Sequence, residues 1–342
     1  MMAKIVTVGE IMMRLQPSGY KRFMQADSFD IVFGGGEANV AVSLAQFGEN
    51  VAFATKLPSN AIADKCVKEL KGWGVDVSKI VRGGNRMGIY FCEKGCSQRG
   101  SNVIYDRAGS AIAEIGEKDF DIPSMLDGAE WLHWTGITPA ISDAMANVME
   151  KILIEAKRRN ITVSCDLNYR KKLWSREKAN AVMSKLVKYV DVLISNEEDS
   201  KDVFSIEAEN TDINSGVISS KGYESIGKRL MEKFPNIKYV AFTLRESISA
   251  SCNNWSAILM DGKKVYGSKK YTIDIVDRVG GGDSFGAGLI YGLKNAIGEQ
   301  NTIEFAVAAS CLKHTVEGDF NIVSVDEVNK LAGGDGSGRV QR

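Results

Sequence analysis

Asp274 to Leu293 reads DIVDRVGGGDSFGAGLIYGL and sets three consecutive glycines, Gly280, Gly281 and Gly282, directly before an acidic residue, Asp283. Phe285, Leu289 and Leu293 then recur at helical spacing, so the glycines make a turn that feeds a helix N-terminus. Without Cβ atoms, glycines let backbone N–H groups come close to a ligand, and a helix end adds unpaired donors and partial positive charge. Such a turn suits an anion, phosphate above all. The same helix end would keep the Asp283 carboxylate ionised, within reach of a hydroxyl about to attack that phosphate. Taken alone, these residues fit a tight turn with an N-cap aspartate as well.

Other residues have types suited to chemistry. A second glycine turn, Gly34-Gly35-Gly36, leads into EANVAVSLAQFG, with Asn39 in its first turn; ordinary strand-to-helix packing is the alternative account. Arg107, in Tyr105-Asp106-Arg107-Ala108-Gly109-Ser110-Ala111, and Arg170, beside Lys171 and Lys172, carry planar guanidiniums that match a carboxylate bidentately. Each would also serve as a solvated charge. Asp166, Asn168 and Arg170 fall at the C-terminal edge of the strand ITVSCDLN, and ligands of open α/β sheets gather at such edges. Asn196 and Asp199 open a helix after the run Val190 to Ser195, where the helix dipole alone would favour an acid. Thr243-Leu244-Arg245 closes another strand, with Arg245 aimed at phosphate or at solvent. His133, between Trp131 and Trp134, reads as a packed core histidine.

The elements that must position these residues follow from the alternation of short apolar runs with helical periodicity. Lys4 to Glu10, Val51 onward, Trp131 to Pro139, Ile161 to Asn168, Val190 to Ser195 and Tyr239 to Ser247 read as strands or strand-and-loop segments. Helices are expected over Glu37 to Phe47, Ser142 to Arg159 and Thr302 to His314, among others, and 205–222 as a polar loop or insertion. Strand pairs near 12–33 and 87–107 have no flanking helices, which suits a small separate sheet. The fold class is therefore α/β, three layers with a mainly parallel central sheet. A single domain over 1–332 is expected, with 333–342 a disordered tail.

Composition agrees with this frame. The chain has 342 residues, 44% hydrophobic and 25% charged, with a formal net charge of zero that argues against a nucleic-acid or anionic-membrane partner. No run approaches the roughly 18 apolar residues of a membrane span and no secretory leader is seen, so a cytoplasmic protein is expected. The cysteines, at 66, 92, 96, 165, 252 and 311, lack CxxC spacing, and two histidines exclude a histidine-rich metal site. The glycines also lack the G-x-G-x-x-G spacing of a dinucleotide oxidoreductase.

Asp277, Gly280, Gly282 and Asp283-Ser284-Phe285 resemble the D-x-x-G-A-G-D-x-F signature of the ribokinase-like (PfkB) sugar kinases, with Arg278-Val279 for Thr-Thr and Gly281 for Ala. The resemblance implies ATP and Mg²⁺, with a monovalent cation as a further candidate, Asp283 as catalytic base and Gly280 to Gly282 as the anion hole. Gly34, Gly35 and Asn39 match the family's sugar-contacting G-G-x-x-x-N element. Tyr90, Tyr105-x-Arg107-Ala-Gly-Ser-Ala, Arg170 in D-x-N-x-R-x-x-L-W and Asp319 resemble the family's 2-keto-3-deoxygluconate kinases, where they imply an acid-sugar substrate. Asn168, Asn196, Thr243 and Arg245 would meet the nucleotide, and Asp199, one methylene short of the family's N-x-x-E, would hold Mg²⁺ through water. The small sheet would be a lid and the seam of a homo-oligomer, dimer or larger. A fructokinase, a ribokinase and a non-catalytic sensor are the competing readings.

Overall fold

Apolar runs and amphipathic stretches become a strand-and-helix alternation in a computed structural model that describes residues 4–208 and 220–336. β1 (Ile5–Val8) is followed by β2 (Met12–Gln16), β3 (Asp30–Gly34), α1 (Gly36–Gln46), β4 (Val51–Leu57), α2 (Ala61–Gly72) and β5 (Ile80–Arg82). Next come β6 (Ile89–Glu93), β7 (Asn102–Asp106), α3 (Ile122–Met125), β8 (Trp131–Thr135), α4 (Ile137–Ala140), α5 (Asp143–Arg158) and β9 (Thr162–Asp166). The remainder holds α6 (Arg176–Leu186), β10 (Val192–Ser195), α7 (Glu197–Phe204), α8 (Ser220–Lys233), β11 (Tyr239–Ser247), β12 (Cys252–Met260), β13 (Val265–Gly267) and β14 (Tyr271–Asp274). Three helices close the chain: α9 (Gly281–Lys294), α10 (Glu299–Lys313) and α11 (Val325–Ala332).

The main sheet runs β13-β12-β11-β10-β9-β8-β1-β4-β5, parallel from β11 to β5, with β12 antiparallel to β11, β13 and β14. Its central strands are buried on both faces, the usual consequence of crossover helices covering a parallel sheet. The pleat divides them between two cores. Val6, Val8, Leu132 and Trp134 pack on the face covered by α5, whereas Ile5 and Trp131 pack with Phe285, Leu289 and Phe305 of α9 and α10. Every loop that follows a central parallel strand therefore opens on one edge, and Asp166 to Arg170 and Asn196 to Asp199 sit at that edge.

The smaller sheet, β3-β2-β6-β7, is built from the strand pairs that lacked flanking helices. Register pairs Arg14 with Tyr90 and Tyr90 with Tyr105 in one row. The next row joins Ile31, Leu15, Phe91 and Ile104. Because successive residues point to opposite faces, the arginine–tyrosine row is turned toward the main sheet's loop edge and the apolar row is turned away from it.

Several local expectations need correction. Ile137–Ala140 forms a helical turn in place of the expected loop, and α10 starts at Glu299 rather than Thr302. The polar segment 205–222 gives way to α8 at Ser220, while 209–219 lie outside the described residues, as do 337–342 of the tail. Helix α11 is an addition to the expected elements, although Ser324 and Glu327 form a capping box at its start, a signal legible as S-x-x-E.

Candidate active site

The N-termini of α1 and α9 converge on the floor of a cavity of about 680 Å³ that is walled by both sheets. Gly280 caps α9 with a left-handed φ of 84°, and a Cβ there would stand 2.1 Å from the carbonyl oxygen of Asp319. Only glycine fits both conditions. Gly281, Gly282 and Asp283 then form the first helical turn and line the cavity. Asp283 is half-buried, and its Oδ2 accepts a 2.7 Å hydrogen bond from Asn39 Nδ2, while Asn39 Oδ1 accepts the Gly35 N–H at 3.2 Å. Thus Asn39, expected on the sugar, also orients Asp283. Burial pushes the Asp283 carboxyl up to about 6, and Asn39, Arg170 and Lys313 pull the other way.

The wall toward the small sheet carries the expected substrate-side residues, with a buried ion network behind them. Arg14, fully buried on β2, donates to Asp277 Oδ2 at 2.7 Å and to Asp319 Oδ1 at 2.6 Å. The Tyr90 hydroxyl donates to the other Asp319 oxygen. Burial pushes the Asp319 carboxyl and the Tyr90 phenol up, with Arg14 opposing in both. Gly34 is needed here, since a Cβ would stand 1.9 Å from Asp319 Oδ2. Tyr105 lies 5.9 Å from the Tyr90 ring, and the Arg107 guanidinium sits 5.8 Å from the Tyr105 centroid. Arg107 is not a free cation: it is ion-paired with the buried carboxylate of Glu10, which also accepts from Ser110 Oγ at 2.7 Å. Arg107 Nε, by contrast, is buried without a partner.

Asp166, Asn168, Arg170, Asn196 and Asp199 occupy the opposite wall. Asn196 caps α7 by accepting the Asp199 N–H at 2.7 Å, and its amide donates to Asp199 Oδ2 at 3.0 Å. Asp199 also accepts the Tyr169 N–H at 3.1 Å, and burial brings its carboxyl up to about 7. Asp166 is raised well above the carboxylate range by burial, then by Asp199 and Asp283. Arg170 counters all three acids yet is exposed and makes no ion pair among the described residues; its one hydrogen bond goes to the Tyr169 carbonyl at 3.3 Å. Thr243 and Arg245 lie at the outer rim beside Arg278, which donates to the Ala250 carbonyl at 3.1 Å. Burial and then Arg245 lower the Arg278 pKa, so the two cations stand close enough to repel.

Sequence reasoning missed Glu10, Arg14, Lys313 and Arg278 as parts of this site. Arg14 left one signal, a charge at the centre of the apolar strand Met12-Met13-Arg14-Leu15. His133 is a core residue as expected, held at 2.8 Å from Ser164 Oγ and lowered to about 3 by burial. All six cysteines are free, and no described helix is long and apolar enough to cross a membrane.

The described acids form no ready-made cluster of three metal ligands. Asp166 and Asp199, raised by burial at the cavity wall, instead fit an ion that brings its own phosphate and water ligands. Three carbonyls beside the glycine turn, those of Asp277, Val316 and Gly318, would suit an alkali ion, but Lys313 already holds them.

Comparison with known proteins places the chain in a family. The sequence model described as pfkB family carbohydrate kinase matches residues 2–324. A crystal structure of 2-dehydro-3-deoxygluconokinase from Thermotoga maritima superposes with a TM-score of 0.93 at 49% identity, covering 97% of this chain and 98% of that one. A 2-dehydro-3-deoxygalactonokinase of Haloferax volcanii is 31% identical over 336 residues, 98% of each chain. An E. coli chain named ribokinase II, solved with ATP and Mg²⁺, shares the fold at a TM-score of 0.80 and 17% identity, covering 96% of this chain and 98% of that one.

Proposed function

The chain belongs to the pfkB family of carbohydrate kinases, and on that premise we propose that it transfers the γ-phosphoryl group of ATP to the terminal hydroxyl of 2-keto-3-deoxygluconate, yielding the 6-phosphate. One observation carries the acid-sugar reading: Arg107 and Arg170 line the same cavity as the glycine turn and Asp283, and Arg170 has no carboxylate partner of its own among the described residues. A guanidinium in that position suits a carboxylate; a neutral sugar has no use for it. Similar proteins bear names of the same substrate class.

In this reading Asp283 takes the proton of the attacking hydroxyl, with Asn39 fixing its orientation. The N–H groups of the Gly280–Gly282 turn receive the charge that spreads over the transferred oxygens. Thr243, Arg245, Asn168 and Asn196 face the nucleotide side. When bound, Mg²⁺ neutralises charge on the ATP phosphates, with Asp199 and Asp166 placed to hold it through water. The domain spans 1–332, and the small sheet serves as a lid that excludes water from the transfer. Six free thiols suit a reducing, cytoplasmic setting.

The test is ADP release with Mg-ATP and, at equal concentration, 2-keto-3-deoxygluconate, its galactonate epimer, fructose, ribose or adenosine. Preference for the keto acids is expected; preference for fructose or ribose would replace the reading with a neutral-sugar kinase, and silence on all would favour a sensor. Arg170→Ala should lower kcat/KM for the keto acid roughly ten- to hundredfold, the loss of one charge-assisted interaction, and lower any turnover of fructose far less.

A homodimer through the lid is part of the same proposal. The outward row Ile31, Leu15, Phe91 and Ile104 crosses all four strands, and Ile31 and Ile104 are 46% and 50% exposed. Such a stripe suits a self-complementary contact. Sedimentation should report a dimer for the native chain and a monomer for Ile31→Lys/Ile104→Lys; a monomeric native chain would dismiss this seam.

A further inference from the structure

A buried lysine lies outside the chemistry just described. Lys313 ends α10 with no exposed surface, and its ammonium donates to the main-chain oxygens of Gly318 at 2.6 Å, Val316 at 3.0 Å and Asp277 at 3.4 Å. An ammonium has three N–H bonds and no acceptor, so these carbonyls take its donors in full. A Cβ built on Gly280 would stand 3.2 Å from Lys313 Cε, which puts the lysine directly beneath the phosphate turn. The carbonyls it joins belong to the segment entering that turn, at Asp277, and to the segment beside it that ends at Asp319. Main-chain oxygens arranged in this way are also the ligands that replace the water shell of an alkali cation.

We propose that Lys313 is the resident cation of the phosphate turn: it locks the 277–280 and 316–319 segments together, adds positive charge beneath the transferring phosphoryl group, and makes turnover independent of added monovalent cations. Three further observations support this. Burial brings the ammonium down to about 8 and no further because Asp277 and Asp319 oppose it, so it is charged at neutral pH. Asp283 is among the acids it favours. A second cation on the same three carbonyls would stand against the ammonium itself, which repels it. The proposal rests on reading the glycine turn as the phosphate site. Lys313 acts through the turn and is a positioning residue.

The experiment compares turnover in KCl and in tetramethylammonium chloride at constant ionic strength, for the wild type, Lys313→Arg, Lys313→Met and Lys313→Ala. Binding of Mg-ATP measured by calorimetry in the same salts gives a readout that does not depend on which sugar the enzyme takes, so failure of the substrate reading would be seen separately. Expected results are a wild type that is indifferent to K⁺ and a Lys313→Met variant about tenfold or more slower in kcat, the scale of one lost electrostatic contact. Lys313→Ala, which opens the carbonyl cage, should recover severalfold on adding NH₄⁺ or K⁺ and not with tetramethylammonium. Severalfold activation of the wild type by K⁺ would overturn the proposal, and that measurement stands even if the variants do not fold. So would a folded Lys313→Met with unchanged kcat, or a folded Lys313→Ala that neither cation restores.

Discussion

Asp283→Asn is expected to lower kcat by at least about a hundredfold with Mg-ATP binding largely kept, the lower end of what general base catalysis contributes. The change is nearly isosteric, and the Asn39 amide can still bond the remaining carbonyl oxygen, so the α1–α9 junction should survive. What goes is basicity. A base must be ionised to act, and burial carries the Asp283 carboxyl to about 6, above an ordinary carboxylate near 4. Because the shift is upward, the proton is held longer as pH rises from the acid side, and activity should be lost as pH drops through about 6 and be level above it. The pH profile of kcat/KM therefore has an acidic limb from Asp283 in the wild type. Asp199, at about 7, lies in the same cavity and could produce a limb of its own. The variant separates them: the limb near 6 should vanish with Asp283 and persist if Asp199 is its source. Near-normal turnover in Asp283→Asn would remove Asp283 from the chemistry.

The largest effect on stability is expected from Arg14→Met. The guanidinium is fully buried and bonded to two buried carboxylates. Burial alone would disfavour its charge, but Asp319 and Asp277 hold it charged above the usual arginine range. Removing one partner of a buried ion group leaves the others uncompensated, which costs about 3–5 kcal/mol. Replacing the arginine and both acids together is less costly, because the only charge that loses its acids is Lys313, which keeps its three carbonyls. Equilibrium urea unfolding should therefore show a loss of that size for Arg14→Met and a partial recovery in Arg14→Met/Asp277→Asn/Asp319→Asn. If the triple variant is no better than the single one, the network stabilises through packing and hydrogen bonds and not through charge balance. Turnover should fall in either case, since the Asp319 carbonyl packs beneath Gly280 and its side chain against Gly34.

Much of this protein is legible along the chain. A glycine turn, an acid and a helical repeat within a few residues determine a helix N-terminus with a carboxylate on it, because backbone freedom and helix polarity are local properties. The same locality makes the parallel sheet readable from buried runs, and the separate sheet from strand pairs without helices. Each nominated residue lines one cavity because the loops that follow parallel strands open on one edge and the smaller sheet faces that edge.

Partnership is decided only by the fold. Asn39 and Asp283 read separately as a sugar contact and a base; 244 positions apart in sequence, they are bonded to each other. Arg107 reads as a free clamp and is held by Glu10, whereas Arg170, equally ambiguous along the chain, is left without an acid among the described residues. Arg14 finds its two acids 263 and 305 positions away, and Lys313 finds carbonyls on both sides of the phosphate turn. Residue type states what a side chain can donate or accept, and local spacing states which way it points. Which charge meets it in the interior depends on how distant segments cross, and burial then sets how strongly that meeting counts.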